Sequence, residues 1–208
     1  MKTLLCKIRC GALGLLILAS GCVSIERSYP DKRYYVLEVN RNVNPSNPPG
    51  NGVLQVANIR VSPRYEDKGF VYRTSGSGYE SDFYNQFLVS PAALLGEELR
   101  KGLAQSQIFR HVINASSQLE PTHVLEGVVD ALYGDFRDPG APKAVLEMEF
   151  FLRKESASKA DIVAARRYAK SVAVSGRSPE ALVKGWNEAL NEIIGLLVAD
   201  LKSAQANL

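Results

Sequence analysis

The segment LLILASGCVS, residues 15–24, decides how much of this chain enters a fold and which cross-links that fold can use. Three bases, Lys2, Lys7 and Arg9, precede an apolar run from Gly11 to Ala19. A positive n-region, a short apolar run and then small residues form the layout of a secretory signal. The run is about nine residues long, whereas a helix needs ~20 apolar residues to cross the hydrocarbon core. A permanent span is therefore disfavoured.

The exit from the run is more specific than an ordinary cleavage site. Leu18-Ala19-Ser20-Gly21-Cys22 resembles the lipobox of bacterial lipoproteins, with Ala19 where that signal most often has Leu. A thiolate is the nucleophile that takes a diacylglyceryl group, and the small Gly21 lets a peptidase approach the backbone. This reading cleaves between Gly21 and Cys22 and makes Cys22 the N-palmitoyl, S-diacylglycerol cysteine. The alternative is a plain secretory signal with a stray cysteine.

Cleavage there leaves 208 − 21 = 187 residues, the size of one domain. Cys6 and Cys10 leave with the signal. Once Cys22 is acylated no thiol remains, so neither a disulfide framework nor a thiolate metal site is available. The apolar core, drawn from a chain that is 46% hydrophobic, must hold the domain alone. Charge follows the same division. The chain has 25 bases and 22 acids, and losing three signal bases leaves 22 against 22. A nucleic-acid-binding domain keeps a basic excess or stripe, so nucleic acid is not expected as a partner.

Residues 22–33 read as a lipidated tether, and residues 34–208 as a single α+β periplasmic domain. Tyr34 to Val39 and Val53 to Val61 have strand composition, the second with Val53, Gln55, Ala57, Ile59 and Val61 on one face. The breaker-rich Asn44 to Gly52 separates them. Phe70 to Arg73 is a short strand, and Ser75-Gly76-Ser77-Gly78 a hairpin connection into Tyr79 to Phe87. Those glycines lack the GxxxxGK[ST] phosphate-loop pattern. Ser90-Pro91 opens a helix with Ser as N-cap and Pro at the first position. Leu94, Leu95, Leu99 and Leu103 share a face, and the order Glu97, Glu98, Arg100, Lys101 suits the helix dipole.

Phe109 to Ile113 is a further strand. Thr122 to Phe136 follows, with Leu125, Val129 and Tyr133 on one face and Glu126 and Asp130 on the other. Ala144 to Arg153 alternates most clearly, with Ala144, Leu146, Met148, Phe150 and Leu152 inward. Asp138 to Pro142 joins these two as an antiparallel pair, and Ile162 to Val174 is the next strand. Ser178-Pro179-Glu180 opens a closing helix lined by Leu182, Trp186, Leu190, Ile193, Leu197 and Leu201. Runs of strands punctuated by two helices predict an α+β fold with a mainly antiparallel sheet, both helices packed on one face in two layers.

No residue set points to catalysis. His111 and His123 have no acid at ligand spacing. Glu147 and Glu149 share a strand face, as a carboxylate pair requires, but alternate acids on a strand are usually its solvated side. Asp130 and Asp135 read as surface or turn, and Asn114-Ala115-Ser116 matches a glycosylation triplet of no weight beside a bacterial lipobox. The chain reads as a binding or assembly module rather than an enzyme, with no cofactor and no metal.

Several stretches together resemble the PqiC-like ABC-type transport auxiliary lipoproteins. They are the lipobox, Tyr34-Tyr35-Val36-Leu37, Tyr84 to Arg100 (YNQFLVSPAALLGEELR), Leu125 to Asp130 with Tyr133 and Asp135, and Trp186 to Leu190. The resemblance implies a lipid-anchored periplasmic subunit working with an ABC transporter and an MCE-domain protein. Such systems move phospholipids or other hydrophobic molecules between two membranes. It also implies, by analogy, a homo-oligomeric ring. Val23 and Ser24 replace the Asp that retains such lipoproteins in the inner membrane, which favours the periplasmic face of the outer membrane. A lipoprotein of another outer-membrane assembly machine and a lipid-anchored periplasmic enzyme are the alternative readings.

Overall fold

The computed structural model describes residues 30–39, 50–155 and 161–206, so the signal sequence, Gly21 and Cys22 lie outside the described residues. The chain divides into two units, Met1–Asp31 and Lys32–Leu208, and the fold described below belongs to the second. Among the described residues nine strands join one sheet: β1 (Arg33–Tyr35), β2 (Val53–Val56), β3 (Arg60–Val61), β4 (Gly69–Arg73), β5 (Tyr79–Phe87), β6 (His111–Asn114), β7 (His123–Asp135), β8 (Lys143–Lys154) and β9 (Asp161–Ala173). Helix α1 (Pro91–Gln105) separates β5 from β6, and helix α2 (Pro179–Ala206) closes the chain.

Strand β7 is the spine of the sheet. One edge pairs with β8 in antiparallel register along its whole length. The other edge is lined in turn by β2, β3 and β4, all parallel to it. The chain from Val53 to Arg73 thus runs once along that edge with two interruptions. Runs of strands punctuated by two helices predict a mainly antiparallel sheet; the long β7–β8 and β8–β9 pairings are antiparallel, but the sheet is not purely so. Five pairings, β1–β5, β2–β6, β2–β7, β3–β7 and β4–β7, are parallel, and three, β4–β5, β7–β8 and β8–β9, are antiparallel. The sheet is mixed. Period-two alternation reports which face a residue takes, and it carries no information on the direction of the neighbour.

Two breaks of phase alter the expected faces. The single strand expected over Val53 to Val61 is divided at Ala57–Asn58. Leu54 and Val56 point into the core before the break and Ile59 after it, so Val53, Gln55 and Ala57 are not the buried set. In β7 the register shifts between Val129 and Ala131, leaving Asp130 as an extra residue. Leu125, Gly127 and Val129 pair with Leu152, Phe150 and Met148, and beyond the bulge Leu132 and Gly134 pair with Leu146 and Ala144. Tyr133 therefore leaves the face of Leu125 and Val129 and turns to the opposite one. There it stacks on Tyr65 at 5.9 Å and meets Tyr79 edge-on.

Both helices form where their caps predict. Ser90 Oγ accepts the Ala93 N–H and Ser178 Oγ accepts the Ala181 N–H. All six stripe residues of α2 from Leu182 to Leu201 are buried, as are Leu94, Leu95, Leu99 and Leu103 of α1. Trp186 is the centre of the core, edge-on to Phe70 at 5.0 Å and 5.6 Å from Phe87, with its indole N–H directed to the Tyr133 carbonyl. Gly185 is what allows α2 so near the sheet, since a Cβ there would lie 2.6 Å from that of Ala144.

Candidate functional site

Residues 33–39 start at the last residue of the segment expected to be the tether, and side chains of both helices hold them. Glu180, at the start of α2, accepts from the Tyr35 hydroxyl at 2.7 Å and pairs with Arg33 at 3.1 Å. Asn187 Oδ1, two turns further on, accepts the Glu38 N–H at 3.1 Å. Glu98 Oε2 of α1 accepts the Val39 N–H at 2.8 Å. Only β1 of this segment is strand, shorter than the expected Tyr34 to Val39, because these side chains take over the backbone donors beyond it. Leu37 still fills the core. The Tyr35 bond holds the Glu180 carboxyl below the usual range. Burial, and then Glu180, push the Tyr35 hydroxyl up to about 12.

Glu98 also corrects the dipole reading of α1. No acid lies in its first turn and no base in its last, and the dipole acts only within those turns. Instead Lys101 joins Glu97 at 2.8 Å and Glu98 at 2.9 Å in mid-helix. Glu98 is the buried charged residue among the described residues, and it lies on the leucine face. Its place within that stripe was the signal by which the sequence could have shown it.

The outward side of the same sheet edge is apolar. Among the described residues strand β1 pairs with β5 alone, Tyr34 opposite Gln86 and Tyr35 opposite Phe87. Tyr35 and Phe87 pack inward around Phe70, so Tyr34 and Gln86 face out. Exposed around them are Val36, Phe83, Leu88 and Val89. Phe83 stands on a bulge of β5, between the pairings of Ser81 with Val71 and Gln86 with Gly69. Asp82 ties that bulge down, accepting from the Tyr72 hydroxyl, the Asn85 side chain and the backbone N–H groups of Tyr84 and Asn85. Burial would raise its pKa, but these four donors together hold it below the usual range.

The polar residues weighed for chemistry are brought to no common centre. His111 is exposed at the start of β6, while His123 is half-buried beside Phe109, its Nδ1 3.0 Å from Thr122 Oγ1. Burial and Lys154 lower the His123 pKa, which favours the neutral ring. Glu147 and Asp130 both pair with Arg167, at 3.1 and 3.4 Å, and Asp135 pairs with Arg137 at 2.6 Å. Ser75 to Gly78 forms the expected turn, with the Thr74 N–H donating to the Gly78 carbonyl. Two clefts, of about 530 and 800 Å³, open on either side of the β2–β3 break and share Ala57 and Asn58. In the larger one Arg153 bridges Glu126 at 3.0 Å and Glu155 at 3.1 Å, beside Arg60 and Glu120. Among the described residues no helix is long and apolar enough to cross a membrane.

Several solved structures share this fold, among them the following three. A Xanthomonas campestris protein of the DUF330 family superposes with a TM-score of 0.73 at 16% identity, over 84% of this chain and 98% of that one. A second, uncharacterized protein gives 0.65 at 18% identity, over 82% and 99%. The hypothetical protein CT253 of Chlamydia trachomatis gives 0.53 at 10% identity, over 74% and 99%. At such identities the likeness is one of fold. No curated protein matches the chain in sequence. The profile of the ABC-type transport auxiliary lipoprotein component family matches residues 35–195, from Tyr35 at the helix-held segment to Gly195 in α2. That match takes in well over half of the sequence, and the chain belongs to the ABC-type transport auxiliary lipoprotein family.

Proposed function

We propose that this chain is the lipid-anchored auxiliary subunit of an ABC transport system that works with an MCE-domain protein. The system would carry phospholipids or other hydrophobic molecules across the periplasm. The observation that carries this reading is the family match over residues 35–195 behind a lipobox ending in Cys22. Signal peptidase cuts between Gly21 and Cys22, and Cys22 is acylated. Residues 22–33 are the tether and residues 34–208 one periplasmic domain. Several acyl chains, each contributing ~0.8 kcal/mol per buried CH₂, make such anchoring stable. Val23 and Ser24 favour the periplasmic face of the outer membrane.

In this reading the subunit is not an enzyme and needs no cofactor, and copies of it form a ring that docks the transporter to the membrane. The helices cover one sheet face as a second layer, leaving the other for partners. Contacts of α2 with Ala144 at Gly185, with Leu182 under Gly134, and of Ile194 with Gly102 of α1 support that layering. Tethering raises the effective concentration of a weakly binding domain near its partner.

Co-purification after cross-linking in cells tests the partner assignment. Recovery of an MCE-domain protein together with an ABC ATPase is the expected result. Recovery of subunits of outer-membrane protein or lipopolysaccharide assembly in their place would move the chain to a different envelope machine.

A further inference from the structure

We propose that Tyr34, Phe83, Leu88 and Val89 form a membrane-resting edge that sits in the headgroup region of the phospholipid bilayer holding the anchor. The inference rests on the acylation of Cys22 proposed above. The four side chains are exposed, Phe83 by 63% and Tyr34 by 54%, and the backbone sets them side by side. Tyr34 is paired across from Gln86, whose amide donates to the Phe83 carbonyl, and the Leu88 N–H donates to the Tyr35 carbonyl. Exposed aromatic rings beside aliphatic chains suit the polar–apolar boundary of a bilayer.

The charges around the edge agree. The Lys32 ammonium lies 3.9 Å over the Phe83 ring, a cation–π contact that sets a positive charge against the exposed ring, at the level where lipid phosphate would lie. Lys68 donates to the Leu88 carbonyl at 3.0 Å, a second ammonium at this edge. The carboxylate of the bulge, Asp82, is turned inward onto Tyr72 and Asn85. An exposed ring held on a bulge by a four-donor carboxylate is a fixed protrusion rather than a floppy one.

Chain length selects the bilayer over other occupants. From Cys22 to Lys32, where the folded unit begins, ten residues reach at most about 35 Å and far less as a coil. A compact unit of this length is about 40 Å across. The edge that carries Lys32 and β1 is therefore the part of the unit held nearest the anchoring membrane.

The test uses the full acylated chain in phospholipid vesicles, with single thiols introduced as Phe83→Cys, Leu88→Cys or Ile162→Cys and labelled with an environment-sensitive fluorophore. Ile162 is the control, because it is as exposed as Phe83, at 63%, but lies on β9. Brominated phospholipid should quench labels at 83 and 88 at least fivefold more than the label at 162. Acylated protein with equal quenching at all three positions overturns this inference alone. So do labels at 83 and 88 that are shielded from both lipid and aqueous quenchers, since a protein then covers the edge. Mass spectrometry showing an unacylated Cys22 overturns the anchor and this inference together. Phe83→Ser with Leu88→Ser, folded by circular dichroism, should lose the protection of Lys32 from amine-reactive reagents on vesicles.

Discussion

Glu98 of α1 accepts the Val39 N–H at 2.8 Å with one carboxylate oxygen and the Lys101 ammonium at 2.9 Å with the other. One buried side chain thereby fastens the segment after β1 to a helix nearly sixty positions later. Glu98→Ala leaves the Val39 donor without its partner. It should cost about 1–3 kcal/mol in urea denaturation. Glu98→Gln, which keeps an acceptor for Val39, should recover part of that loss. An alanine variant as stable as the parent chain would show the bond to be dispensable.

Trp186 is the single tryptophan and is fully buried between Phe70 and Phe87. Trp186→Ala opens the centre of the core and should destabilise by about 3–5 kcal/mol, read from the urea midpoint by circular dichroism. Trp186→Phe loses the N–H bond to Tyr133 and some volume, and should cost clearly less.

The bulge of β7 makes a sharper contrast. Asp130→Ser removes only a surface pairing with Arg167, 3.4 Å long, and should change stability by about 0–1 kcal/mol. Deleting Asp130 moves residues 131–135 to the other face, driving Tyr133 toward α2 and Leu132 outward. The deletion chain should fail to give a cooperative unfolding transition. A well-folded deletion variant would mean that the bulge can migrate along the strand.

Stability should fall at both ends of the pH scale. Glu180 and Asp82 are held below the usual carboxylate range in the folded chain. Their contributions are present above about pH 4 and lost as pH falls through the lower folded values. Tyr35 is raised to about 12, so its contribution is present below about pH 10 and lost as pH rises through 12. Urea midpoints measured across pH should show Asp82→Asn flattening the acid limb and Tyr35→Phe flattening the alkaline one.

Cys22→Ser tests the anchor directly. The variant should take up no palmitate label and should move from the membrane fraction to the soluble periplasm. Retention of label would place acylation elsewhere in the chain.

How far the fold could be read from sequence differs element by element. The stripe of α2 was legible because six apolar residues at helical spacing have one solution, and all six are buried. Ala144 to Leu152 was legible for the same reason at period two. The parallel edge of β7 was not, since a strand's neighbours are decided by loops such as residues 62–68 rather than by its own alternation. Tyr133 was assigned to the wrong face because one inserted residue, Asp130, shifts the phase without altering composition. Glu98 reads in sequence as one of the charges ordered to suit the helix dipole, although its spacing sets it among Leu94, Leu95 and Leu99. Of the outward edge, FLVSP could be seen as a segment, but its meeting with Tyr34 needed the pairing of β1 with β5.

The bonds from Glu180, Asn187 and Glu98 to residues 35–39 also have a mechanical meaning. A three-residue edge strand loaded from its amino end could peel away one ladder bond at a time. Here a tug arriving at Lys32 is shared among fastenings on two helices whose stripes are seated in the same core. Force applied at Lys32 is thus delivered to the body of the protein, and the outermost strand is spared from acting as a zip.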